Sequence, residues 1–111
     1  MLEGTSRAPD EVVAVVPPDL VECTVEKVAV NAVMAGCRPE YLPVVMAALE
    51  AACTNDFNAH GLLATTWFSG PMVIVNGPVA RAIGIVVHHR DARVVHRQLA
   101  VRLAREVVHR A

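Results

Sequence analysis

Hydrophobic positions fall into short segments whose spacing predicts helices in the first half of the chain and strands after them. The apolar run 12–16 ends at Pro17-Pro18, so it predicts either a strand or one helical turn. Thr24 suits a helix N-cap, and Gly36 suits the residue just past the carboxyl end of that helix. The helix between them has an apolar stripe formed by Val25, Val28, Ala29, Ala32 and Val33.

A second helix is predicted from Pro39 to about Ala52, because proline is well suited to the first helical position. Pro43 removes one backbone hydrogen bond, which predicts a bend or a loose first turn. Residues 54–61 have turn chemistry. The β-branched and aromatic run 62–68 predicts a strand.

Residues 72–75 predict a second strand with apolar side chains on both faces, followed by a turn at Asn76-Gly77-Pro78 and a short helix that ends at Gly84. From Asp91 onward, apolar residues recur every fourth position, at Val95, Leu99, Leu103 and Val107. The order predicts an α+β fold: a small helix-helix-strand-strand-helix layer with a C-terminal amphipathic helix.

Length and composition favour one domain. The 111 residues are 54% hydrophobic but only 4% aromatic, so small aliphatic side chains fill the core or a subunit interface. No apolar stretch approaches the roughly 20 residues that cross a bilayer, and the first residues do not have the pattern of a secretion signal. We therefore expect a cytoplasmic protein without membrane contact, and free thiols at Cys23, Cys37 and Cys53.

Charge divides the chain near Gly84. Residues 1–84 hold four Lys/Arg against nine Asp/Glu, a balance of −5, whereas residues 85–111 hold six Arg against two acidic residues, a balance of +4. The second segment is also rich in His, Val and Ala. The sequence thus predicts an α/β domain at 1–84 and a basic tail at 85–111.

Several blocks of the first segment carry a family resemblance. VEKVAVNAVMAGCRPEYLPVVMAALEA, FNAHG, ATT and IVNGPVARAIGI occur in order, and together they resemble a bacterial family of UGSC-type (seleno)proteins. In that family the matching region looks like the C-terminal part of a longer chain. The selenocysteine-or-cysteine, Gly, Ser, Cys motif lies upstream of it and is absent here. After Ile85 the tail departs from the family, and it is either a genuine amphipathic helix or the product of a frameshift.

Candidate catalytic residues are Cys37 and His60. Cys37 precedes a predicted helix start, where the helix dipole lowers a thiol pKa, although a buried structural cysteine is the alternative. Candidate ligand-binding residues lie in the family-like blocks, one of them within the first predicted helix and the others at strand ends and turns. They are Asn31, Asn58, Thr65, Thr66 and Asn76. Asn31 has a buried hydrogen bond to a loop as its alternative role, and Asn58 and Asn76 have turn capping.

The sequence does not identify a cofactor. His89 and His96 lie two helical turns apart without a third ligand, so no metal site is predicted. The basic tail lacks interleaved aromatic residues, which disfavours nucleic-acid binding. Two functional hypotheses remain, and both require a partner. One is a shortened paralogue or subunit of a thiol/selenol redox enzyme, which adds a pocket wall to a companion chain carrying the redox motif. The other is a non-catalytic, homo-oligomerising α/β module.

Overall fold

The computed structural model describes residues 1–67 and 70–85. Two strands come first, β1 at Val12–Val16 and β2 at Val21–Thr24, and four helices follow them. The helices are α1 at Val25–Met34, α2 at Leu42–Ala52, α3 at Ala59–Ala64 and α4 at Gly77–Ala82, and short 3-10 turns lie at Leu2–Gly4, Pro39–Tyr41 and Asn55–Phe57. The α+β class is confirmed, but the strands precede the helices.

The apolar run before Pro17 is a strand, which decides between the two predicted alternatives. β1 and β2 form an antiparallel pair in which Ala14 lies opposite Cys23, with an irregularity between Val12 and Ala14. Because strand side chains alternate between faces, the register turns Val13, Val16 and Cys23 toward the interior, where all three are buried.

Helix α1 begins and ends where the sequence predicted. The Thr24 hydroxyl accepts a hydrogen bond from the Lys27 N–H at 3.4 Å, and Gly36 has a φ of +79° that L side chains rarely adopt. Four members of the predicted stripe are buried, namely Val25, Val28, Ala29 and Ala32. The fifth, Val33, is 57% exposed and lies outside the buried part of the stripe.

The second helix has the loose start that its prolines predicted. Residues Pro39–Tyr41 form a 3-10 turn, and α2 follows from Leu42, with Pro43 in its first turn, to Ala52. Leu42 is fully buried, and Val45 and Met46 pack beside it against the hairpin and α1. These contacts close the hydrophobic core.

The N-terminal residues are part of this core region. Met1 packs against the core, and a Cβ at Gly4 would lie 1.9 Å from the Pro39 carbonyl oxygen, so the two backbones touch there. Arg7 donates hydrogen bonds to Glu11 at 2.9 Å and Glu50 at 2.6 Å. The chain start is thereby held against α2.

Residues after Cys53 correct two predictions. The strand predicted at 62–68 is wrong, because Ala59–Ala64 form α3 and residues 65–67 are irregular. The strand predicted at 72–75 is also wrong, since residues 71–75 pair with no strand among the described residues. The predicted short helix is confirmed as α4, and Gly84 follows it with a φ of +72°. Beyond Ile85, the predicted tail lies outside the described residues.

Candidate functional site

Cys37 sits at the turn between α1 and α2. Its backbone N–H donates to the Ala32 carbonyl at 2.9 Å, which folds the chain back over the end of α1. The side chain is half-buried against the core, and burial raises the pKa of the Cys37 thiol. The predicted lowering of this pKa is therefore wrong, because desolvation of the thiolate outweighs any effect of the Pro39 turn. A catalytic role for Cys37 remains a prediction.

The other two thiols have the same character. Burial raises the pKa of Cys23, and it also raises the pKa of Cys53, which the nearby Cys23 thiol raises further. All three cysteines are unpaired thiols within the core region. A neutral thiol is a poor nucleophile, so these environments favour packing over reactivity at neutral pH.

Arg38 is a prominent polar residue that the sequence did not single out. Its guanidinium donates to the Tyr41 hydroxyl, at 3.1 Å from Nε and 2.8 Å from Nη2, and lies 4.8 Å from the centre of the tyrosine ring. Nη2 also donates to the Ile83 carbonyl oxygen at 2.7 Å, beyond the end of α4. Arg38 thus joins α4 to the α1–α2 turn across 45 residues of sequence.

Asn31 makes a hydrogen bond within its own helix. Nδ2 donates to the Lys27 carbonyl at 2.8 Å, one turn earlier in α1. The predicted hydrogen bond from Asn31 to a loop is therefore not formed with any described residue. Oδ1 is buried and has no hydrogen-bond partner among those residues. Within residues 1–67 and 70–85, the Asn31 amide makes no hydrogen bond to another candidate residue.

Asn58 and His60 lie at the start of α3. Asn58 adopts the left-handed conformation, with φ 53° and ψ 49°, and its Oδ1 accepts from the Gly61 N–H at 3.2 Å. The turn-capping alternative is confirmed for Asn58, since this conformation and this bond start the helix. His60 is exposed on the first turn of α3.

Thr65, Thr66 and Asn76 are exposed residues of the irregular segments. The Thr65 hydroxyl accepts from the Trp67 N–H at 3.2 Å, which makes a local turn rather than the predicted strand. Asn76 occupies the N-cap position of α4, but its side chain makes no capping bond. Asn76 thus stands at the capping position of α4 without a side-chain capping hydrogen bond.

The candidate residues do not form one site in the part of the chain that the structure describes. Cys37 and Asn31 belong to α1 and its end, whereas the remaining candidates follow α2 and are solvent-exposed. No hydrogen bond between described residues joins the two groups. Within the same residues, no cluster of three potential metal ligands occurs. His89 and His96 lie outside the described residues.

No described helix is long and apolar enough to cross a membrane. No protein-family model, curated protein or solved structure matches the chain. The resemblance to the UGSC-type family therefore remains a prediction.

Proposed function

We propose that the chain is a non-catalytic α/β module that associates with a second copy of itself through residues 71–75, here called the pairing segment. One observation carries the proposal. Met72 and Ile74 are 77% and 76% exposed, while Val73 and Val75 between and after them are half-buried. Alternating exposure of β-prone side chains is the pattern of a strand that lies with one face on its own domain.

The backbone of the pairing segment supports the same conclusion. Among the described residues, its N–H and C=O groups make no backbone hydrogen bonds. Water satisfies exposed groups, but an extended apolar run with free backbone groups is a template for an added strand. Pro71 at the first position is compatible with an edge strand.

A second copy is the occupant that this segment fits. Residues 70–76 contain no charged side chain, so two copies meet without repulsion. A twofold axis through Val73 places Met72 of one copy opposite Ile74 of the other and keeps side chains of the same face together. Cross-strand contacts between these side chains then add to the backbone bonds.

The test is the mass of the full chain in solution, with Ile74→Asp as the variant and Leu20→Asp as the control. Leu20 is 70% exposed in the turn between β1 and β2 and is not part of the pairing segment. We expect a dimer for the natural chain and the control. For Ile74→Asp we expect a dissociation constant at least about tenfold higher, since the pair desolvates a carboxylate. A monomeric natural chain, or an unaffected Ile74→Asp dimer, contradicts the proposal.

A second proposal is the redox-enzyme subunit. Three free thiols in one core region support it, and Cys37 lies at the α1–α2 turn, next in sequence to the exposed Arg38. In this proposal Cys37, His60 and Thr65 line a pocket completed by a companion chain with the redox motif. It predicts that Cys37 reacts with a thiol reagent faster than Cys23 and Cys53. Equal, slow labelling of all three contradicts it.

A further inference from the structure

The outer face of α1 is apolar. Val30, Val33 and Met34 are all exposed on it, although the opposite face of the helix already fills the core. The outer face of a surface helix normally carries polar residues, so three large apolar side chains within two turns mark a contact surface. These three residues are called the α1 patch below.

The described chain ends next to this patch. Arg38 follows Met34 by four residues and holds the Ile83 carbonyl at 2.7 Å, and a Cβ at Gly84 would lie 3.0 Å from the same guanidinium nitrogen. Residues 83–85 are therefore positioned at the carboxyl end of α1, where Val33 and Met34 lie. Whatever follows Ile85 starts within a short distance of the α1 patch.

We propose that residues 91–108 of the same chain bind the α1 patch through Val95, Leu99, Leu103 and Val107. The four-residue spacing of these side chains is that of one helix face, which needs an apolar surface to be stable in water. Residues 86–90 span at most about 17 Å when extended, and they follow residues 83–85, which Arg38 holds beside the carboxyl end of α1. This inference is independent of the pairing segment.

Charge complementarity identifies the occupant. Residues 1–84 carry a balance of −5 and residues 85–111 a balance of +4. Near the patch, exposed Glu26 is offset by Lys27, so the attraction comes from the charge of the two segments as a whole, and arginines flank the apolar stripe of residues 91–108. Opposite charges around an apolar contact favour this pairing, and salt weakens it.

The experiment is limited proteolysis of the full chain with an arginine-specific protease, because residues 90–110 contain six arginines. The variant is Val33→Lys, which keeps helix propensity, suits the carboxyl end of α1 and repels a basic segment. Leu20→Lys is the matched control, at an apolar residue that is 70% exposed and belongs neither to the α1 patch nor to the pairing segment. Neither variant creates a new cleavage site for this protease.

We expect cleavage after Arg97 and Arg102 to be about tenfold faster in Val33→Lys than in the natural chain, since cleavage follows the population of the released segment. Leu99→Asp is expected to give the same acceleration, and Leu20→Lys none. Equal cleavage rates in the natural chain and Val33→Lys overturn the inference. Acceleration in Leu20→Lys also overturns it, because the effect is then not specific to the α1 patch. Protection that grows with protein concentration overturns it as well, because the segment then binds a second copy.

Discussion

Two regions of this protein differ in how many of their apolar side chains are buried. The core region, residues 1–53, contains the whole buried hydrophobic cluster and every half-buried hydrophobic residue packed against it. The outer region, residues 54–67 and 70–85, buries only Ala80 and leaves Trp67 84% exposed, together with Met72 and Ile74. Burial stabilises a fold without help, whereas exposed apolar surface is stabilised by association.

Leu42→Ala gives the largest expected effect. Leu42 is fully buried in the core region, so removing its side chain should lower the free energy of unfolding by about 2–5 kcal/mol. Ile74→Ala is the matched change in the outer region, and we expect it to cost within about 0.5 kcal/mol in the monomer. Denaturant unfolding at low protein concentration measures both. Similar losses would remove the distinction between the regions.

Gly4→Ala should give the second-largest loss of stability. The added Cβ would meet the Pro39 carbonyl at 1.9 Å, and backbone cannot move aside as a flexible side chain does. We expect a loss of about 1–3 kcal/mol, as for other overpacked positions. Gly70→Ala is the control in the outer region, because no atom lies within 4 Å of its Cβ position. If the midpoint of Gly4→Ala equals that of Gly70→Ala, the N-terminal residues are not part of the core region.

Helix caps test the same difference between the two regions, with a smaller expected loss of stability. Thr24→Ala removes a side chain that accepts a hydrogen bond at the start of α1 and should cost about 1 kcal/mol. Asn76→Ala changes the corresponding residue of α4, whose side chain makes no such bond. We expect a smaller loss there, measured by the same unfolding curves. A larger loss at Asn76 would mean that α4 contributes more to stability than α1.

Thiol ionisation gives the smallest expected effect. The pKa values of Cys23, Cys37 and Cys53 are raised from an ordinary 9.0, mainly because burial disfavours the thiolate. A raised folded-state pKa contributes stability that is fully present below the unfolded pKa and is lost as the pH rises through and beyond it. Unfolding free energies between pH 8 and pH 10 should therefore fall, and replacing Cys37 and Cys53 by Ala should flatten that slope. A slope unchanged by these replacements rules out the thiols as its cause.

The sequence was most informative where a structure depends on neighbouring residues. Thr24 and Gly36 mark the ends of α1 through local cap chemistry, and Pro39 with Pro43 explains the 3-10 turn before α2. Leu62 was misassigned to a strand because Asn58 caps a helix that continues to Ala64, and the β-branched threonines come after it. A cap residue in the left-handed conformation is difficult to recognise in a turn-rich segment.

No pattern in the sequence predicted the contacts between segments that are far apart along the chain. Arg38 and Ile83 are 45 residues apart in the sequence, and Gly4 and Pro39, whose backbones touch, are also far apart in it.

The strand predicted at 72–75 is wrong for a related reason. β-propensity gives these residues only a preference for strand conformation, and a strand also requires a partner strand. Thr65 and Thr66 belonged to the strand predicted at 62–68, and Asn76 followed the strand predicted at 72–75. Neither strand forms, so the arrangement that would have grouped these candidate residues is absent from the described residues.

Amide hydrogen exchange of the full chain at two protein concentrations tests the central claim most directly. In the core region, amides of α1 and α2 should be equally protected at both concentrations, because that core closes within one chain. Amides of residues 72–75 should exchange freely when dilute and become protected when concentrated, as pairing between copies supplies their hydrogen bonds. Free exchange of residues 72–75 at both concentrations, or equal protection at both, would contradict the claim that the outer region is stabilised by association.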